Sequence, residues 1–339
     1  MISSDILELI EPFRSSLTQI ETLLLQEATS SKFSFINQAA QHISLNQGKR
    51  LRPVLVLASA KIFGSIQREH ILFSAITEMI HTATLLHDDV LDEADVRRHR
   101  KSVNSEWGNT TSVLLGDYLF ARALMLLSSL GSKQLFTLVS EMTRDICEGE
   151  LLQIHTARNT HLSEAEYFQM IKKKTAALFA ACCRGSAIIS GASADLVSKL
   201  DRYGDAVGQA FQIVDDILDL MGNQNDEGKT LGTDLKKGKM TLPLIHLLPH
   251  LDAADRKFLE DVMTQKVSGI SDLQIQNLLV KGQGFTEILS IVSELCKFAT
   301  LQLESIDHLD TTLFRAIPEY LLSQAEHYLQ ESTSLLKVS

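Results

Sequence analysis

The 339-residue chain is poor in the residues that brace or break a fold. It has only 4 cysteines, and two of them, Cys182 and Cys183, are adjacent. Neither a CxxC pair nor a Cys/His ligand spacing occurs around Cys147, Cys182, Cys183 or Cys296. That excludes a disulfide framework and a structural zinc site, and leaves reduced thiols. Only 5 prolines, 17 glycines and 6% aromatic residues are present, too few turn-formers for a sandwich or barrel. No apolar run approaches the ~18 residues of a spanning helix. Asp117, Arg122 and Arg184 break the most apolar stretches, so no transmembrane helix is expected. Asp5, Glu8 and Glu11 punctuate the start, which argues against a signal peptide and for a cytoplasmic protein. Excess positive charge is missing too: 32 basic against 42 acidic residues give a net charge of −10. Such a chain does not coat nucleic acid or an acidic membrane nonspecifically. No nucleic-acid partner is expected, and any polyanion must be held by local basic clusters.

What is there is helical. The chain is 45% apolar and 22% charged, enough for a sizeable core. Ile6, Leu9, Ile10, Phe13, Leu17 and Ile20 form one stripe; Ile71, Ala75, Ile76, Met79, Ile80 and Ala83 form another. The periodicity predicts further helices near 110–130, 134–156, 164–190, 195–221, 240–249, 254–264, 272–280, 284–304 and 311–335. Breaks are expected at 44–49, 64–68, 94–105, 157–163, 222–239 and 265–270. No stretch reads as sheet, and there is no linker or fixed-period repeat. The expectation is an all-α protein, one domain over 1–339, with ten or more helices. The long polar segment GNQNDEGKTLGTDLKKGK at 222–239 reads as either a functional lid or a solvated loop.

Two acidic clusters stand out: Asp88, Asp89 and Asp92, and Asp215, Asp216 and Asp219. Both read DDxxD. With 21 aspartates in the chain, that pattern arises by chance roughly 0.08 times, so two copies are not accident. Positions i and i+4 share a helix face, so Asp88 stacks with Asp92 and Asp215 with Asp219. Stacked carboxylates repel and destabilise a bare helix. Mg²⁺ is the cation that bridges a few carboxylates to substrate phosphates. A solvated acidic face is the alternative for either cluster alone. His81 lies two turns before Asp88, and Gln212 one turn before Asp216, so polar groups continue each stripe inward. Basic residues answer the acidic ones. Lys49, Arg50 and Arg52; Arg97, Arg98, Arg100 and Lys101; Lys172, Lys173 and Lys174; and Lys229, Lys236, Lys237 and Lys239 gather 14 of the 32 cations. Arg grips phosphate bidentately and Lys acts as a mobile point charge. Ordinary surface charge is the alternative, above all for Lys172, Lys173, Lys236 and Lys237. No GK[ST] glycine loop occurs, which removes the usual support for nucleotide phosphoryl transfer.

These stretches resemble the trans-isoprenyl (polyprenyl) diphosphate synthase family. The matching segments are GKRLRP at 48–53, HTATLLHDDVLDEADVRR at 81–98, LLGDYLFARAL at 114–124, KTA at 174–176, FQIVDDILD at 211–219 and GKTLGTDLKKGKMTLPLI at 228–245. The resemblance implies an all-helical isoprenoid synthase fold around a central cavity between the aspartate motifs. It implies a homodimer that uses Mg²⁺, three ions per active site. By motif, both aspartate triplets resemble the metal-binding residues. Lys49, Arg52, His81 and Arg98 fall where the family binds isopentenyl diphosphate. Arg97, Lys174, Thr175, Gln212, Lys229 and Lys239 fall where it holds the allylic diphosphate, Lys174 with a catalytic role. The implied reaction is head-to-tail condensation of the two. The run Arg97-Arg98-His99-Arg100-Lys101 departs from the family's Arg-Arg-Gly-Lys-Pro, and Gln47 replaces a common glycine.

Product length is read from the turns before Asp88. In similar short-chain enzymes bulky aromatics block extension there. Here Met79, Ile80, Ala83 and Thr84 include none, which predicts an all-trans product of medium to long chain, such as an octaprenyl or solanesyl diphosphate used for a quinone side chain. Met125, Leu126 or Phe136 are candidates for the tunnel floor. The alternatives are a shorter-chain (farnesyl or geranylgeranyl) synthase, a class I terpene cyclase, and a noncatalytic partner subunit. Both intact aspartate motifs weigh against the last two.

Overall fold

Residues 51–62 read LRPVLVLASAKI, apolar on every side of a helix, and such a segment has to be surrounded. In the computed structural model, which describes residues 8–44, 50–97, 100–221, 232–267, 270, 274, 278, 285–306 and 310–335, Pro53 through Ala60 of this helix are all buried. Pro53 sits in the first turn, where the missing N–H costs nothing.

The helices in chain order are α1 (Arg14–Ala28), entered through a 3₁₀ turn at Glu11–Phe13, α2 (Ser34–Ser44), α3 (Leu51–Ile62) and α4 (Arg68–Leu91). Strands β1 (Val96–Arg97) and β2 (Arg100–Lys101) follow, then α5 (Val103–Trp107), α6 (Asn109–Ser129) and α7 (Lys133–Thr156). Next come α8 (Glu164–Ile171), a π-helical turn (Lys172–Ala176), α9 (Ala177–Ile189) and α10 (Ala194–Met221). The chain continues through α11 (Thr233–Lys236), α12 (Leu242–Leu247), α13 (Ala253–Met263), α14 (Phe285–Leu301) and α15 (Thr312–Leu335).

The chain folds into two compact units. The first comprises Met1–Thr143, Leu178–Asp201 and Ile306–Leu313. In it α4 packs along α6, with α3 and α1 against α4. The α4 core runs from Phe73 to Ile80. Gly185 lies against Phe73, and a Cβ there would overlap the ring, so the glycine lets that ring in. The start of α4 is closed by an unusual capping box: the Gln67 N–H donates to His70 Nδ1 at 3.0 Å, and the Gln67 side chain caps the His70 N–H. His70 Nε2 then reaches Ser190 Oγ at 3.0 Å and the Ser186 carbonyl at 3.3 Å. Nδ1 accepts, so Nε2 carries the proton of a neutral ring. Burial pushes the His70 pKa below its ordinary value. The second unit comprises Arg144–Ala177, Arg202–Ser305 and Phe314–Ser339. Its fully buried anchors include Tyr167 and Tyr203. The Tyr203 hydroxyl donates to the Phe314 carbonyl at 2.8 Å.

Three local features differ from the expectation. Val96–Arg97 and Arg100–Lys101 form an antiparallel pair, Val96 opposite Lys101 and Arg97 opposite Arg100, where no sheet was expected. A short helix, α5, occupies the end of the expected 94–105 break, with Ser102 as N-cap accepting from the Ser105 N–H. Helix α11 lies within the expected 222–239 loop, and residues 222–231 of that loop are outside the described residues. Helix α6 also qualifies the reading of apolar runs. By length and average composition it is long and apolar enough to cross a membrane, although charged residues interrupt it and a third of its apolar window is buried. Arg122 on α6 is ion-paired with Glu27 of α1.

Candidate active site

In the first unit the acidic cluster closes the C-terminal end of α4, where the core helix runs out of apolar residues. Asp89 is buried, and Arg97 Nε donates to its Oδ1 at 2.6 Å. Asp88 and Asp92 are half-buried, and the Asp92 N–H closes the helix on the Asp88 carbonyl at 2.8 Å. The Asn104 side chain ties the cluster to α5 by donating to the Asp89 and Ala94 carbonyls at 3.2 and 3.1 Å.

A cavity opens beside this cluster. Its lining includes the polar residues Asp89, Arg97, His81, Arg50 and Glu78 and the apolar residues Leu24, Ala28, Met79, Leu86 and Leu119. The structure thus brings His81, Asp89 and Arg97 together. Arg50 is turned away from solvent to Glu78 at 2.7 Å, with Glu21 at 3.7 Å. Its backbone is left-handed (φ 50°) at the N-cap of α3. Arg50 is therefore a brace, and breaking such a buried pair costs about 3–5 kcal/mol. Arg52 lies in the first turn of α3 with its guanidinium 5.1 Å from the centre of the Phe179 ring. Lys49 and Arg98 lie outside the described residues.

Of the residues read as setting product length, Met79, Ile80 and Ala83 are buried and Thr84 half-buried. Met79 lines the cavity. The Thr84 hydroxyl donates to the His81 carbonyl at 2.8 Å. Among the suggested floor residues, Met125 and Phe136 are exposed on this chain and Leu126 is half-buried.

In the second unit the other acidic cluster lies near the C-terminal end of α10. Its three carboxylates have different surroundings. Asp215 is exposed. Asp216 is buried; Tyr167 OH donates to its Oδ2 at 2.7 Å and Gln212 Nε2 to its Oδ1 at 2.8 Å. Asp219 accepts the Thr233 and Asp234 backbone N–H groups at 3.2 and 3.0 Å, so it caps α11. Burial first, then the charges of Asp234 and Asp215, push the Asp219 pKa up to about 7. The same burial, with Asp234 beside it, pushes Asp216 far above the ordinary carboxylate range.

The π-helical turn presents the basic side. Lys174 is ion-paired with Glu150, and its Nζ donates to Gln153 Oε1 at 2.8 Å. Thr175 is buried, and its hydroxyl donates to Gln212 Oε1 at 2.6 Å. Lys173 is instead tied to Asp145 and Glu148 at 2.9 and 2.6 Å, and Lys172 reaches Asp205 at 3.5 Å. Of the three lysines, Lys174 is the one next in sequence to Thr175, whose hydroxyl is bonded to Gln212. A single π turn is a frequent mark of a functional site, because it re-aims side chains within a helix. Lys239 lies 3.5 Å from Asp234. Lys229 is outside the described residues.

A sequence profile described as "Polyprenyl synthetase" matches residues 33–277. The chain belongs to the polyprenyl synthetase family. It is 40% identical over 224 residues to octaprenyl diphosphate synthase of Escherichia coli (strain K12), covering 66% of this chain and 69% of that protein. It is 38% identical over 263 residues to all-trans-nonaprenyl-diphosphate synthase (geranyl-diphosphate specific) of Rhodobacter capsulatus, covering 77% of this chain and 79% of that one. Among solved structures, a decaprenyl diphosphate synthase from Rhodobacter capsulatus superposes with a TM-score of 0.85 at 35% identity, covering 95% of this chain and 99% of the other. A polyprenyl synthase from Caulobacter crescentus CB15, complexed with calcium and isoprenyl diphosphate, gives 0.87 at 31% identity, covering 96% and 97%. The all-α isoprenoid synthase fold expected from the sequence is the fold found.

The donor set of this polyprenyl synthetase suits Mg²⁺. Among the described residues no three His, Cys, Asp or Glu side chains converge into a ready metal cage. Mg²⁺ does not need one; it takes one or two carboxylates and completes its shell with water and substrate phosphate. Burial first, and then the charge of Asp234, disfavour the ionised forms of Asp216 and Asp219, and a cation beside them would favour those forms. Sequence reasoning passed over four residues of this site. Asp234 was in the matching loop but carries no repeat of the aspartate pattern. Glu150, Gln153 and Tyr167 give no local signal, because their partners lie 21 to 49 residues away.

Proposed function

We propose that this prenyltransferase uses Mg²⁺ to condense isopentenyl diphosphate head-to-tail with an allylic diphosphate. The product is an all-trans polyprenyl diphosphate of medium to long chain, the precursor of a quinone side chain. The observation that carries the reading is the end of α4, where Asp89 and Arg97 pair in a cavity lined by both charged and apolar side chains of one unit. The names of the relatives, octaprenyl and nonaprenyl diphosphate synthase, support the long chain.

Asp88, Asp89 and Asp92, with Asp215, Asp216 and Asp219, are the residues that would hold the metal, three ions in the resembling enzymes. Mg²⁺ held there would supply positive charge against the departing diphosphate, which would favour ionisation of the allylic C–O bond. Lys49, Arg52, His81 and Arg98 bind the diphosphate of isopentenyl diphosphate. Arg97, Lys174, Thr175, Gln212, Lys229 and Lys239 hold that of the allylic partner, Lys174 exchanging Glu150 for phosphate oxygens. The same cations oppose charge as it builds on the leaving group. The isopentenyl double bond attacks the allylic cation, and the proton lost afterwards goes to the released diphosphate. Met79, Ile80, Ala83 and Thr84 leave the growing chain an apolar path with no aromatic across it.

Residues 1–339 serve this one reaction, in a homodimer in the cytoplasm. The exposed apolar side chains Val113, Leu114 and Met125 on α6 support a surface for a second copy. A second reading is a catalytic component that needs another polypeptide. It is favoured by 39% identity over 225 residues to a protein named heptaprenyl diphosphate synthase component 2, from Geobacillus stearothermophilus. The purified chain, given Mg²⁺, labelled isopentenyl diphosphate and farnesyl diphosphate, separates the readings. Long labelled products support the first; activity restored only by a second polypeptide supports the other.

A further inference from the structure

We propose that Tyr167 is a positioning residue that fixes Asp216 of the second aspartate cluster, at the end of a continuous chain of hydrogen bonds that Gln212 carries on to the Lys174–Thr175 segment. The inference rests on the prenyltransferase reading above. The route is explicit. Thr175 Oγ1 donates to Gln212 Oε1 at 2.6 Å, Gln212 Nε2 donates to Asp216 Oδ1 at 2.8 Å, and Tyr167 OH donates to Asp216 Oδ2 at 2.7 Å. Both oxygens of Asp216 are thereby engaged by neutral donors, one from α8 and one from its own helix.

Tyr167 is fully buried, and the Phe168 ring meets it edge-on at 5.7 Å between centroids. If the site needed only an aromatic filler, Phe would do the same without a hydroxyl to satisfy. The hydroxyl is spent on the one carboxylate in the middle of the acidic cluster. Asp216 is next to Asp215 in sequence and one turn from Gln212, so fixing its side chain fixes the rotation of the 212–219 turns. The same chain of bonds begins at Thr175, one residue from Lys174. It therefore sets where the carboxylate face of α10 stands relative to that lysine. Lys174 engages the allylic diphosphate directly and the carboxylates engage it through cations, so displacement of one against the other by about 1 Å is enough to cost turnover.

Tyr167→Phe removes a single oxygen and keeps the ring. The Mg²⁺ concentration for half-maximal rate is expected to rise at least tenfold, and KM for the allylic diphosphate to rise with it. KM for isopentenyl diphosphate stays unchanged. Binding of Mn²⁺ to the protein in the presence of inorganic diphosphate, followed by electron paramagnetic resonance, should weaken by a similar factor. That arm needs no turnover. Thr175→Val should show the same metal shift, and Thr175→Ser, which keeps the donor, should restore affinity lost in Thr175→Val. Thr175→Val also serves as the test if Tyr167→Phe does not fold. Unchanged Mn²⁺ affinity and Mg²⁺ requirement in the folded variants would overturn the proposal and leave Tyr167 as a core residue. A wild-type chain that binds Mn²⁺ as expected but incorporates no isopentenyl diphosphate would overturn the function instead.

Discussion

At the scale of single residues, the aspartates of one motif have different work to do. Asp89 and Asp216, the middle residues, are buried and engaged by Arg97, or by Tyr167 and Gln212. Asp219 spends its oxygens on the backbone of α11. Asp88→Ala or Asp215→Ala should lower turnover by orders of magnitude while the melting temperature holds, a split that steady-state kinetics and calorimetry read together. Near-normal rates would remove these residues from the metal site. His70 yields a pH prediction. Its folded pKa is lowered by burial, so between that value and about 6.5 the unfolded chain binds more protons than the folded one. Stability is complete above that window and falls as pH drops through it, by at most about 1.4 kcal/mol per pH unit for one proton. Thermal unfolding from pH 7 to 5 should show a shallower loss in His70→Gln than in wild type. The aspartate pairs were legible in the sequence because chemistry and helix period coincide in five residues. Tyr167, Glu150 and Asp234 were not, because only the folded chain brings them to their partners.

At the scale of elements, the π turn at Lys172–Ala176 is held from outside as well as by its own bonds. Gly149 on α7 backs onto it, and a Cβ there would stand 2.8 Å from the Lys174 Cα. That neighbour is backbone and does not swing aside. Gly149→Ala should therefore move Lys174, raise KM for the allylic diphosphate and cost about 1–3 kcal/mol of stability in denaturant unfolding. A wild-type KM would mean that the turn tolerates displacement. Long helices such as α7 and α10 were readable almost to the residue, since many apolar positions repeat the same period. The π turn was hidden within a continuous 164–190 pattern, because five residues are too few to reveal a change of period. The β1–β2 pair was hidden for the opposite reason: two residues per strand give no alternation to count. Val96–Arg97 and Arg100–Lys101 make that short ladder, and Arg97 within it also donates to Asp89.

At the scale of the whole molecule, the fold class and the family follow from motif order along the chain, and product length is the property carried by shape. Ala83 is 3% exposed, and α6 passes close to its turn, since a Cβ on Gly116 would stand 3.2 Å from the Ala83 carbonyl. Ala83→Phe should place a ring across the apolar path and shorten the product by several isoprene units, visible by chromatography, with some loss of stability from overpacking. Unchanged product length would move the length determinant elsewhere. The most direct test of the central claim is incorporation of labelled isopentenyl diphosphate onto farnesyl diphosphate by the purified chain, with and without Mg²⁺, followed by product chromatography. The account predicts Mg²⁺-dependent formation of products well beyond twenty carbons. Incorporation that ignores Mg²⁺, or products that stop at fifteen or twenty carbons, would contradict it.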